Sequence, residues 1–147
     1  MRIYPDACAI NRLTDDPIQV RVRMEAEAVR QVFRLIEDRR VEWVVSSILE
    51  TELKRNPDMR RRLDALEMLH FADKMIYPDA RIEARAISLH GFGYGRFDAL
   101  HLAIAEAANA DWMLTTDDRL LRQVHRGLGK PSVKTENPLD WIKEVQP

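Results

Sequence analysis

Four carboxylates widely separated along the 147-residue chain, Asp6, Glu52, Asp98 and Asp117, are the residues best suited to chemistry. Brought into one pocket they repel one another, which raises at least one pKa unless a cation neutralises them. A hard divalent ion such as Mg²⁺ or Mn²⁺ resolves that conflict. Mg²⁺ usually binds one or two carboxylates directly and keeps several waters, which the remaining acids hold. A metal in such a site lowers the pKa of a bound water and offsets charge on a leaving oxygen, with a carboxylate as general base. The chemistry expected is hydrolysis of a phosphodiester. Each acid also has an ordinary explanation. Asp98 and Asp117 stand where aspartate caps a helix, Asp6 could turn the chain after a strand, and Glu52 could be a solvated helical residue. Their joint placement separates the two readings.

That placement depends on the elements around them. Ile3-Tyr4 opens a short apolar strand ending at Asp6. Apolar residues then recur at helical spacing from Met24 to Asp38. Val41 to Val45 is β-branched and aromatic, and Ser46-Ser47 suit the start of a helix through Ile48, Leu49 and Leu53 that Pro57 ends. Further helices are expected over 58–72 and 79–89, with Gly91, Gly93 and Gly95 forming a loop. From Asp98 the run through Ala108 is apolar nearly all round, so this helix should be central. Trp112-Met113-Leu114 reads as a buried strand, Asp117 to Val124 as a helix, Ser132-Val133-Lys134 as the last strand and Pro138 to Val145 as the closing helix. Short strands separated by helices imply a three-layer α/β/α sandwich around a short, mainly parallel sheet. In such sheets ligands bind beyond the carboxyl ends of the strands, where Asp6 and Asp117 fall.

Composition bounds the reading. The length suits one domain, over 1–147, and 46% hydrophobic with 32% charged residues suits a single core. No run is long and apolar enough to span a membrane. The N-terminus lacks a signal core and Cys8 is the single cysteine, so a reducing cytoplasm is expected. With a formal net charge of −1, nucleic-acid binding requires local basic patches. Arg21, Arg23, Arg30, Arg34, Arg39 and Arg40 early, Lys54, Arg55, Arg60, Arg61 and Arg62 mid-chain, and Arg119, Arg122, Arg126 and Lys130 late supply candidates, though a charge run is usually a solvated face.

The segments Ile3-Tyr4-Pro5-Asp6, Ser46 to Leu53, Asp98-Ala99-Leu100-His101-Leu102-Ala103 and Leu114-Thr115-Thr116-Asp117-Asp118 resemble the ordered acidic motifs of the PIN-domain family, above all its VapC-type toxins. The resemblance spans essentially the whole chain. It implies an Mg²⁺- or Mn²⁺-dependent ribonuclease acting on RNA, a homodimer, and a cognate antitoxin that neutralises it. Asp6, Glu52, Asp98 and Asp117 match the family's four acids, and Thr116 precedes the last of them. Asp118 reads as a capping or surface residue. Ala7 and Cys8 follow Asp6 where the family commonly has Thr-Ser or Thr-Asn, which removes a hydroxyl beside the first acid. Asn11 could supply a polar group nearby.

Other residues read more simply. His101, one turn after Asp98, suits a hydrogen-bonded structural role. Cys8 has no visible base and reads as a small packed side chain. Trp43, Trp112 and Trp141 read as core or edge packing. Helical geometry separates Glu50 from Glu52. At roughly 100° per residue, Glu52 falls inside the stripe of Ile48, Leu49 and Leu53, whereas Glu50 falls outside it and has Lys54 four residues on. Two competing classes remain. A non-catalytic RNA- or partner-binding module of the same fold is disfavoured by the intact acids. A phosphate-accepting receiver domain would place a lysine after a late strand, where this chain has Thr115-Thr116-Asp117.

Overall fold

A computed structural model describes residues 1–146. β1 (Arg2–Pro5) is followed by a short α1 (Ala7–Asn11) and the long α2 (Val20–Glu37). β2 (Glu42–Ser46) leads directly into α3 (Ser47–Lys54), then α4 (Met59–Met68), a 3₁₀ turn at Leu69–Phe71 and β3 (Lys74–Ile76). α5 (Ala80–Gly91) and α6 (Arg96–Ala107) precede β4 (Trp112–Leu114), α7 (Asp118–His125), β5 (Lys134–Glu136) and α8 (Pro138–Val145).

The five strands form one sheet in the order β3-β2-β1-β4-β5. Every pairing is parallel, with Ile3 beside both Trp43 and Trp112, and Pro5 beside Leu114. The chain builds outward from β1 in one direction, then returns to build β4 and β5 in the other. The switch point therefore lies between β1 and β4, where a doubly wound sheet opens a crevice at its carboxyl edge.

Alternation along the strands creates the three layers. Tyr4, Val44 and Met113 face a cluster that includes Leu89 of α5 and Leu102 and Ile104 of α6. Ile3 and Leu114 point the other way, onto Val32 of α2 and Trp141 of α8. Trp43 and Val45 pack with Ile10 of α1, Leu49 and Leu53 of α3 and Ala65 of α4. α6 carries Ala99, Leu102, Ala103, Ile104 and Ala105 in buried positions, so its apolar run makes it the central helix of its layer.

The three-layer architecture is as the sequence implies, with a sheet that is wholly rather than mainly parallel. Several boundaries differ from expectation. α1 and β3 carry no sequence signal: α1 is only five residues long, and β3 is a three-residue edge strand with no fully buried position. α2 begins at Val20, four residues before Met24: Val22 is the buried residue of its first turn, and its neighbours Val20, Arg21 and Arg23 are exposed, which leaves the apolar periodicity too sparse to read there. The last strand is Lys134–Glu136 rather than 132–134, since Val133 is used in the core beside α6 instead of in the ladder. Asp98 does not cap its helix: α6 starts at Arg96 from Gly95, which places Asp98 in the first turn.

Candidate active site

Two of the four acids leave the carboxyl ends of adjacent strands. Asp6 directly follows β1, and its backbone N–H extends the ladder by donating to Leu114 O at 2.9 Å. It caps α1, with Oδ1 accepting from Ala9 N at 2.9 Å, and is only 4% exposed. Asp117 follows β4 and caps α7, its Oδ1 accepting from Arg119 N at 2.9 Å and Leu120 N at 3.3 Å. Its own N–H donates to the Thr115 hydroxyl at 3.1 Å. Asp98 belongs to the first turn of α6. Three carboxylates thus stand at helix starts, where the backbone dipoles favour negative charge.

Glu52 reaches the group from α3. Its side chain accepts from His101 Nε2, and His101 is 1% exposed. A continuous chain lies behind that contact. Tyr4 Oη is 2.6 Å from both His101 Nδ1 and Ser46 Oγ, and Ser46 Oγ also caps α3 by accepting from Leu49 N at 3.0 Å. Every proton can be accommodated if Ser46 donates to Tyr4, Tyr4 donates to His101 Nδ1 and the imidazole donates from Nε2 to Glu52. Burial pushes the Tyr4 hydroxyl well above its ordinary pKa, which keeps it a donor. His101 is therefore the structural histidine expected, with the specific task of fixing the Glu52 rotamer. Glu52 needs no metal to explain its inward placement, because His101 is a partner.

Electrostatics record the gathering of the acids. Burial raises Asp6 from 3.8 to about 6, opposed by the Thr115 hydroxyl, the Ala9 N–H and His101, and supported by the charge of Glu52. Asp98 is also raised to about 6, first by burial and then by Asp117, with Glu52 adding repulsion and His101 and Arg119 opposing it. The pattern is that of carboxylates short of positive charge. Among the described residues, no three His, Cys, Asp or Glu side chains form a ready-made metal cage. An all-oxygen set with two acids of raised proton affinity fits a hard cation held by one or two direct carboxylates and waters, as Mg²⁺ prefers.

Glu25, Arg12 and Asn137, which the sequence reading passed over, join a network beside the Thr116-Asp117 loop. Glu25 of α2 is 2% exposed and accepts from Arg12 Nε at 2.9 Å and from the Asn137 side-chain amide; Arg21 Nε lies 3.3 Å away. Arg21 in turn donates to Asp118 at 2.6 and 2.8 Å and to Thr116 O at 3.1 Å. Arg12 also pairs with Asp15, which receives Arg61 of α4. This network ties α2 and α4 to the Thr116-Asp117 loop. Its one legible sign was a charged residue among apolar neighbours, since Glu25 lies beside Ala26 and one turn from Ala28 and Val29. Asp118 is a surface residue, as expected.

Cys8 is a correction. It is exposed rather than packed, because the neighbouring Ala7, Ala9 and Ile10 take the buried positions of α1. The nearby charge of Asp6 and partial burial push its thiol far up, so it remains a poor nucleophile. Trp43 and Trp141 are buried, as expected, and Trp112 lies partly buried under Lys134 Nζ at 5.2 Å from the ring centroid.

Asp6 and Asp117 thus stand at the carboxyl edge of the β1–β4 switch point of a parallel α/β/α sandwich. The sequence profile of the PIN domain matches residues 3–126, and the chain belongs to that family. No curated protein matches the sequence. Its fold is similar to a chain in the crystal structure of VapBC2 from Rickettsia felis bound to a DNA fragment from their promoter, with TM-score 0.63 and 15% identity over 93% of this chain and 98% of that one. It is also similar to a chain in a structure of VapBC-1 from nontypeable Haemophilus influenzae, with TM-score 0.61 and 17% identity over 94% and 98% of the two chains. No helix among the described residues is long and apolar enough to cross a membrane.

Proposed function

We propose that this protein is a metal-dependent endoribonuclease acting as the toxin of a toxin–antitoxin pair. The observation that supports the reading is that Asp6 and Asp117 leave the carboxyl ends of the adjacent strands β1 and β4, while Glu52 acts on Asp6 and both Asp117 and Glu52 act on Asp98, with Asp6 and Asp98 each raised to about 6. Of these four side chains, one or two would hold Mg²⁺ or Mn²⁺ directly and the others would hold its waters. The bound ion would acidify a water and neutralise charge on the phosphodiester. The chain's own contribution is orientation: helix caps fix Asp6 and Asp117, and His101 fixes Glu52. A carboxylate not engaged by the ion serves as the general base.

The partner rests on the neighbours, both described as VapBC assemblies, and on membership of the PIN family. A cognate antitoxin, a homodimer and a cytoplasmic setting follow from that likeness. Light scattering of the purified chain tests the dimer, and a small adjacent reading frame whose product binds and inhibits the protein tests the pairing. For the activity, purified protein should cleave single-stranded RNA with Mg²⁺ or Mn²⁺ and stop in chelator. Full activity in EDTA would refute metal dependence. RNA binding without cleavage under any divalent ion would favour a non-catalytic module.

A further inference from the structure

Beside the acids is a pair that the four-carboxylate scheme does not use. Arg55, the residue that ends α3, holds its guanidinium carbon 4.7 Å from the centre of the Phe97 ring. Arg55 is exposed and Phe97 half-buried. Cation–π pairs occur about once in 70–80 residues, so the contact alone has no functional meaning. Its location does. Phe97 immediately precedes Asp98, and Arg55 lies three residues after Glu52, one turn along the same face of α3. The pair therefore bridges the two helices that deliver half of the acids.

Its bonding is equally informative. Lys54, next in the chain, is committed to Glu50 at 2.9 Å, whereas among the described residues the Arg55 side chain has no ion pair or hydrogen bond. The guanidinium lies over the Phe97 ring, and its N–H donors have no partner among the described residues. A pocket of four carboxylates repels a phosphodiester, so positive groups must border it if RNA is to enter. Arg119, whose charge acts on Asp98, supplies one such group. Arg55 supplies another, and a planar guanidinium held over an aromatic ring is also a group that stacks on a nucleobase.

Building on the ribonuclease reading, we propose that Arg55 and Phe97 form a base-stacking platform for the nucleotide next to the scissile phosphate of single-stranded RNA. Every base has a π-face, so the platform accepts any of the four and sets the position of the strand rather than its sequence.

The test measures binding separately from cleavage. A fluorescein-labelled single-stranded RNA of about 12 nucleotides, within the span of known single-strand sites, is titrated with the full chain, with Ca²⁺ in place of Mg²⁺ and the RNA checked for integrity. Arg55→Lys keeps the charge but loses the plane, and Phe97→Leu keeps an apolar contact but loses the ring. Each should weaken binding about tenfold, and the double variant should be at most about twofold worse than either single, because the two act as one unit. A 2-aminopurine placed along the RNA should be quenched at one position by the wild type and by neither variant. Arg55→Lys alters an exposed side chain, so the test survives even if Phe97→Leu folds poorly. Affinity and quenching within about twofold of wild type in both variants would overturn the platform while metal-dependent cleavage leaves the ribonuclease reading standing. Unchanged RNA binding with loss of binding to a co-expressed protein would assign the pair to protein docking and likewise overturn it. A wild type that neither binds nor cleaves RNA would overturn both.

Discussion

Asp6→Asn should abolish metal-dependent cleavage and, in the absence of metal, make the protein more stable. Asp6 is 4% exposed, and its carboxyl is raised from 3.8 to about 6, with burial as the largest cause. That difference corresponds to about 3 kcal/mol by which the folded state disfavours the charged form. The cost is present in full above pH 6. It is relieved as pH falls through 6 towards 4, because the folded carboxyl takes up a proton before the unfolded one does. Asparagine occupies nearly the same volume without charge and caps a helix as well as aspartate, so the bond from Ala9 N survives. Some of the gain is lost because the amide replaces the favourable Thr115 contact, which leaves about 1–3 kcal/mol. For a chain of this size that is a rise in Tm of about 2–4 °C per kcal/mol. Thermal unfolding in EDTA at pH 7.5 and pH 4, wild type against variant, reads the effect as a difference at each pH. Mg²⁺ should then raise the Tm of the wild type at pH 7.5 and leave the variant unmoved. A destabilised variant at pH 7.5, or an advantage equally large at pH 4, would refute the argument that an uncompensated buried charge resides at Asp6.

Two further substitutions probe the support of the site. Glu52→Gln should slow RNA cleavage by at least about tenfold, whereas Glu50→Gln, which breaks only an exposed pair with Lys54, should change it by less than about threefold; the reverse ranking in single-turnover assays would reassign the second acid. Glu25→Ala strips a buried carboxylate from Arg12, Arg21 and Asn137 and should cost about 1–3 kcal/mol in urea unfolding, because the buried Asn137 amide loses its acceptor while Arg12 keeps Asp15 and Arg21 keeps Asp118. A loss under about 1 kcal/mol would mean that water replaces the carboxylate at no great cost.

The placement of the four acids on their elements was more legible than the scaffold details. Strand ends followed by acids marked Asp6 and Asp117 directly, and helical phase separated Glu52 from Glu50 because α3 keeps regular geometry from its Ser46 cap. The all-round apolar run identified α6 as central for the same reason, since burial on most sides leaves no polar face. What escaped reading depends on tertiary pairing. β3 exists only because Val44, Val45 and Ser46 offer it an edge, and nothing within Lys74-Met75-Ile76 alternates strongly enough to announce it. Glu25 looked like one more charge on a helix, because its partners Arg12 and Asn137 lie 13 and 112 residues away. Cys8 was misplaced because α1 was not foreseen, so its phase could not be assigned.

The double duty of Asp6 and Asp117 as helix caps has a genetic consequence. An aspartate codon becomes an asparagine codon by one base change, and asparagine keeps the cap that either α1 or α7 requires. Inactivating lesions at these positions therefore leave a folded chain whose outer surfaces are unaltered. Cells selected to escape the proposed activity should accumulate such alleles at Asp6 and Asp117 in preference to truncations wherever the folded chain retains a second use, such as binding its partner. Sequencing survivors of forced expression, with and without that partner's gene, would reveal the bias.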